Sequence, residues 1–205
     1  MKSIRRKSIS DVFLDRWSLK LLLASAVEVY PYESMGLLWG IKSYRTLTRK
    51  KNRVISIKSV YPIQTVHRGY TQVDWGNQAA KERLLNTLKT LKAGMVGEFH
   101  SHTKGGALAT LSDADINYYL RESQEGREIL GNDWIELIVR INKHETNCVI
   151  EEPIYGNYNY KKAEKFHINS GDNTYDITLS AYFIKEKQNE PITIQGSVWI
   201  NWPIT

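Results

Sequence analysis

Met95-Val96-Gly97-Glu98-Phe99-His100-Ser101 reads as a strand running straight into His102, with Ser112-Asp113-Ala114-Asp115 following after a loop. Residues two apart on a strand share a face, so His100 and His102 converge with Glu98, while Phe99 and Ser101 point the other way. Ser112 stands before a segment, Asp113 to Glu122, with apolar or aromatic side chains at Ile116, Tyr119 and Leu120, a helix capped by the Ser112 hydroxyl. The spacing of three brings Asp115 to the same side as Ser112. Gly105 and Gly106 let the intervening loop turn back across the strand end, so that Asp115 approaches the two imidazoles. Two nitrogens and one carboxylate oxygen, with a fourth position for water, are the ligand set of hydrolytic rather than structural zinc. A lone His-x-His says little, because solvent-facing alternation produces it by chance. The whole constellation points to a site for one catalytic Zn2+ on His100, His102 and Asp115.

Hydrolysis at such a metal needs a base to take a proton from water and hand it to the leaving amine. Glu33 is a candidate, in Tyr30-Pro31-Tyr32-Glu33-Ser34-Met35-Gly36-Leu37-Leu38-Trp39-Gly40, between the end of an apolar helix and the start of an apolar strand. Glu98 is the local rival, able to act as a ligand, as a partner to an imidazole, or as a member of a buried ion pair.

The layout outward from this strand is that of an α/β sandwich, a mixed β-sheet flanked by helices. Leu14 to Tyr30 reads as a helix in which Trp17, Leu21, Ala24 and Glu28 recur near the helical period, with further leucines implying deep burial. Met35 to Ile41 and Arg53 to Val60 read as strands joined by a turn rich in Arg45, Arg49, Lys50, Lys51 and Arg53. Gln78 to Leu91 is a helix feeding the histidine strand through Gly94, and Trp134 to Ile141 is a strand with Glu136 as its one acidic interruption. Thr174 to Ile184 and Ile192 to Ile200 also read as strands, whereas Tyr155 to Tyr160 has a loop composition. The six tryptophans are expected in the core or in groove walls.

These residues resemble those of the JAB/MPN metallopeptidases, also called JAMM proteases, a family that includes deubiquitinases and prokaryotic relatives. The family pairs a glutamate in a Glu-x-x-Gly-x-Leu-x-Gly-like segment with a later His-x-His and then Ser-x-x-Asp. Here Glu33 with Gly36, Leu38 and Gly40, then His100 and His102, then Ser112 and Asp115, match in order, over about residues 15 to 145. The resemblance implies a JAB/MPN, cytidine-deaminase-like sandwich, with zinc on the histidines and aspartate. It makes Glu33 the general base and then acid, has Ser112 help bind the oxyanion, and moves Glu98 behind the ligands. Two departures stand out: Thr103 replaces the family's usual proline after the second histidine, and Thr103 to Leu111 gives nine residues before the serine where the family usually has seven.

Size and charge bound the rest. With 205 residues and a hydrophobic fraction of 41%, the chain has enough apolar material for a substantial core and is not a disordered sequence. The simplest organisation is a basic amino-terminal tail, 1–10, and one catalytic domain, 11–205, elaborated from about residue 146. No run approaches the roughly 20 apolar residues that span a bilayer, so no membrane partner is expected. Lys2, Arg5, Arg6 and Lys7 imitate the start of a signal peptide, but Asp11, Asp15, Arg16 and Lys20 interrupt its apolar region, and a cytoplasmic protein is expected. Cys148, the single cysteine, forms no intrachain disulfide and no second zinc site. The net charge of +6 is scattered over the tail, the basic turn and helix faces rather than gathered in one motif, so a protein partner with an acidic surface is expected rather than nucleic acid.

The resemblance further implies a substrate: the carboxyl-terminal tail of a ubiquitin-like protein or its conjugate, with E1- and E2-like conjugation proteins as associated partners. Relatives act in bacterial antiviral conjugation systems and in sulfur-carrier processing. Two other functions fit the same motifs, a noncatalytic MPN-like scaffold or binding module, and a peptidase acting on small peptides in sulfur metabolism.

Overall fold

Runs of alternating and β-branched residues dominate the chain, and the structure, a computed structural model, resolves most of them into strands. It describes residues 11–47, 50–91, 94–103, 109–116, 118, 134–144, 156–158, 163–187 and 190–200. The basic tail 1–10, Lys104 with Gly105 and Gly106, the far end of the helix expected to reach Glu122, and Cys148 lie outside these residues. The described elements are β1 (Asp11–Leu14), α1 (Arg16–Val29), β2 (Met35–Leu47), β3 (Lys50–Pro62), β4 (Val66–Arg68), β5 (Val73–Trp75), α2 (Gln78–Thr90) and β6 (Met95–His102). They continue with β7 (Trp134–His144), β8 (Gly156–Tyr158), β9 (Ala163–Ser170), β10 (Asn173–Lys187) and β11 (Glu190–Ile200). Residues 113–116 form a helical turn.

The expected helix-flanked α/β sandwich is not what forms. The main sheet runs β11-β1-β3-β2-β6-β7-β10, and β10 pairs again with β11, so seven strands close into a barrel. Closure depends on two strands. Asp11 to Leu14, which the periodicity folds into the helix or leaves unassigned, is a separate strand that pairs in parallel with β11 on one side and β3 on the other. On β10, one edge is held by β7 along most of its length, while the other changes partner: Ser180 faces Ala163 of β9, and Ala181 faces Gly196 of β11. Strands β9 and β8 continue from β10 outside the ring. The seven-stranded ring closes on itself, while the β9–β8 extension ends at β8, which pairs only with β9 among the described strands.

The barrel interior is apolar. Val12 and Leu14 of β1, Ile55 and Ile57 of β3, Phe99 of β6, Leu137, Val139 and Ile141 of β7 and Leu179, Ala181 and Phe183 of β10 form one buried cluster. Helix α1 adds Leu19, Leu22, Leu23 and Ala26 to that cluster. Its opposite stripe, Trp17 and Leu21, faces outward, with Trp17 71% exposed. Apolar residues on nearly every side of α1 leave its period unable to choose the buried face. The helix begins at Asp15, whose carboxylate accepts the Ser18 N–H at 2.9 Å. No helix among the described residues is long and apolar enough to cross a membrane.

A second cluster covers the outer face of the wall. Met35 and Leu37 of β2 and Met95 of β6 pack with Leu88 of α2, Val66 of β4 and Ile63, with Trp75 and Trp134 partly buried against them. Strands β2 and β3 form one long hairpin, so the basic residues expected in its turn stand largely on strands. The Arg45 guanidinium lies 4.5 Å from the Phe13 ring, and the Lys51 ammonium 5.3 Å from that of Tyr44.

Candidate metal centre

Strand parity carries the functional groups to the outside of the barrel. Phe99 points into the core, so Glu98, His100 and His102 project outward, beside the apolar cover of β2 and α2. On the other side, Ala109, Ile138 and Tyr182 form a small third cluster. Beside Met35 and Val73 of the second cluster lies a cavity of about 340 Å3 whose lining includes Glu33, Glu98, His100, His102, Ser112, Asp115 and Glu136. Gly97 permits the close approach of β6 to β7 that builds this wall, because a Cβ there would run into the Ile135 backbone carbonyl.

His100, His102 and Asp115 come together as one group, with one ligand-capable atom from each within 4.8 Å of the others. The two histidine Nε2 atoms are 2.9 Å apart. His100 Nε2 lies 3.3 Å from Asp115 Oδ1, and His102 Nε2 lies 3.4 Å from Asp115 Oδ2. Ligand bonds of about 2.0–2.1 Å at tetrahedral angles give edges of about 3.3 Å; each nitrogen–oxygen separation has that length but runs to a different oxygen of Asp115, so binding through one oxygen needs a small turn of the carboxylate, and the nitrogen pair needs to open by a few tenths of an ångström. This His-His-Asp group can hold a metal ion.

Asp115 is placed by local chemistry. Ser112 caps the helical turn, its N–H and hydroxyl both donating to Asp115 Oδ2 at 2.7 Å, while the Asp115 N–H donates back to the Ser112 hydroxyl at 3.2 Å. This reciprocal cap leaves Oδ1 facing His100. Burial alone would raise the Asp115 pKa, but hydrogen bonds from His100 and His102, the charge of His100 and the Ser112 contact hold it well below the usual carboxylate range.

Glu136 was legible only as the acidic interruption of a strand. It is 0% exposed, faces Glu98 across the parallel β6–β7 pairing, and its Oε1 lies 2.7 Å from His100 Nδ1. A carboxylate there keeps the proton on Nδ1 and presents the Nε2 lone pair to the cavity. Glu136 is thus a carboxylate partner of the His100 imidazole, a role the sequence reading did not assign to it. Burial lowers the His100 pKa, yet Asp115 and Glu136 outweigh it and push it up to about 10. The two carboxylates thus favour a positive charge at this point, whether carried by a proton or by a metal ion.

Glu33 lies in the same cavity, 5% exposed. Burial raises its pKa, the charges of His102 and His100 pull it down, Asp115 raises it, and a hydrogen bond from the Thr103 backbone N–H lowers it, with a net rise. Its segment is stitched to the histidine strand: the Ser34 N–H donates to Ser101 Oγ at 2.7 Å and the Ser101 N–H to the Ser34 carbonyl at 2.8 Å.

Fold and site together define a β-barrel protein carrying a His-His-Asp group on its outer wall. No protein-family model matches the chain, and no curated protein matches it. The fold is similar to the solution structure of the protein DSY2949 from Desulfitobacterium hafniense, with a TM-score of 0.51 and 15% identity, covering 93% of this chain and 92% of that one. Similarity at that identity speaks for the fold alone.

Proposed function

We propose that the protein is a zinc-dependent peptidase or isopeptidase acting at the carboxyl-terminal tail of a ubiquitin-like modifier. The observation that carries this proposal is the joint placement of a two-nitrogen, one-carboxylate ligand set and a buried glutamate, Glu33, on one cavity. That donor set suits zinc with an open position, and bound zinc supplies Lewis acidity and water activation. Glu33 takes a proton from the attacking water and returns it to the leaving amine. Its burial favours the protonated form and so suits the second half of that relay. The Ser112 hydroxyl lines the cavity and donates to Asp115 Oδ2 in the resting chain; in the reaction it turns from that oxygen to donate to the negative charge that develops on the carbonyl oxygen. The choice of a ubiquitin-like tail rests on the motif resemblance in Glu33, His100, His102, Ser112 and Asp115.

A cleavage screen of ubiquitin-like fusions and conjugates, read by mass spectrometry with Glu33→Gln as control, tests the proposal. Zinc in the purified protein and cleavage directly after the modifier tail are expected. A metal-free protein that cleaves nothing overturns it in favour of a binding module, and activity confined to short cysteine-containing peptides moves the function to sulfur metabolism.

A further inference from the structure

Three chain segments meet at Thr103, the residue that departs from the resembled family's proline. It stands just past the end of the histidine strand, directly after His102, and is 8% exposed. Its hydroxyl lies 2.8 Å from the Pro31 carbonyl and 3.0 Å from the Tyr70 carbonyl, and its backbone N–H donates to the Glu33 carboxylate. A hydroxyl has one proton, so the two carbonyls share it. The Glu33 N–H in turn donates to the Gly69 carbonyl at 2.9 Å. Gly69 and Tyr70 belong to the β4–β5 turn, whose next residues, Thr71 and Gln72, line the cavity. Proline at position 103 has neither the N–H nor the hydroxyl, so none of the contacts made by Thr103 itself could form, and only the Glu33–Gly69 bond would remain.

We propose that Thr103 is a positioning residue that fastens the Glu33 carboxylate and the Gly69–Gln72 cavity wall to the histidine strand, so that base, substrate wall and ligands form one rigid unit. Its effect on turnover rests on the peptidase function proposed above, whereas the clamp itself is a property of the folded chain.

Three full-length variants separate the contacts. Thr103→Ser keeps the N–H and the hydroxyl, Thr103→Val keeps only the N–H, and Thr103→Pro removes both. On a fusion that the parent cleaves, Thr103→Val is expected to lower kcat about 10-fold with KM within about two-fold and zinc content unchanged, and Thr103→Ser to restore the parent rate. Amide hydrogen exchange at residues 69–72 should be about 10-fold faster in Thr103→Val than in the parent or Thr103→Ser. The Thr103 amide proton resonance should move upfield in Glu33→Ala. Where Thr103→Pro does not fold, the Val and Ser variants decide. Parent-like exchange and kcat in Thr103→Val, or a Thr103 resonance that ignores Glu33→Ala, overturns the proposal. If the parent cleaves no substrate, the peptidase function falls, and the exchange and resonance measurements still decide the clamp.

Discussion

His100 and Glu136 are 36 positions apart in the chain, yet Nδ1 of one and Oε1 of the other stand 2.7 Å apart on neighbouring parallel strands. The contact fixes the tautomer of the imidazole that also faces His102 and Asp115. Glu136→Gln keeps the shape and removes the charge, and it is expected to weaken zinc binding by about 10–100-fold. Competition with a chelator of known affinity measures this, and an unchanged affinity would mean that the pair serves packing alone.

Replacing Glu33 by Gln should leave fold and zinc content intact and reduce amide hydrolysis by about 10² to 10⁴. Glu98→Gln should reduce it less, since the carboxylate at His100 Nδ1 is that of Glu136, which the register sets opposite Glu98. An inactive Glu98 variant beside an active Glu33 variant, both loaded with zinc, would exchange their roles.

Gly97→Ala should destabilise the wall that carries the site. The added methyl has to displace the Ile135 backbone of β7, which is fixed on its other side by β10. Overpacking of this kind costs about 3 kcal/mol, which for a chain of this length lowers Tm by about 6–12 °C. A thermal melt with parental Tm would show that β6 and β7 part without penalty.

Burial pushes the Glu164 carboxyl on β9 up to about 7. The folded chain therefore holds this proton more tightly than the unfolded chain, whose glutamates titrate near about 4.3. The associated stability is fully present below that value and is lost as pH rises through about 7. Glu164→Gln should match the parent near pH 4 and exceed its Tm by about 2–6 °C at pH 8. A Tm difference that is constant with pH would contradict the assignment.

The histidine strand, its parity and the Ser-x-x-Asp turn were legible because each is a short-range pattern: alternation places Glu98, His100 and His102 together, and a cap ties Ser112 to Asp115. Glu136 was visible only as a misfit in an apolar strand, since nothing in the sequence sets the register of β7 against β6. Barrel closure was hidden for a related reason. Asp11–Leu14 is too short to show a period, and its parallel partner β11 lies at the other end of the described chain. In α1, the leucines outside the Trp17–Leu21 stripe turned out to be the buried ones, a choice that only the surrounding strands make.

The pairing of Asp11 with Ser197 and of Leu14 with Ile200 makes the barrel a ring whose seam joins distant parts of the chain. Such a seam closes late, because loop closure over so long a separation precedes any reward from pairing. During synthesis, β1 emerges first and can pair with β3, but its other edge stays bare until β11 arrives, and an unpaired edge recruits other chains. Yield on expression should therefore respond more sharply to changes in β1 and β11 than to changes around the histidines, even though neither seam strand touches the metal centre.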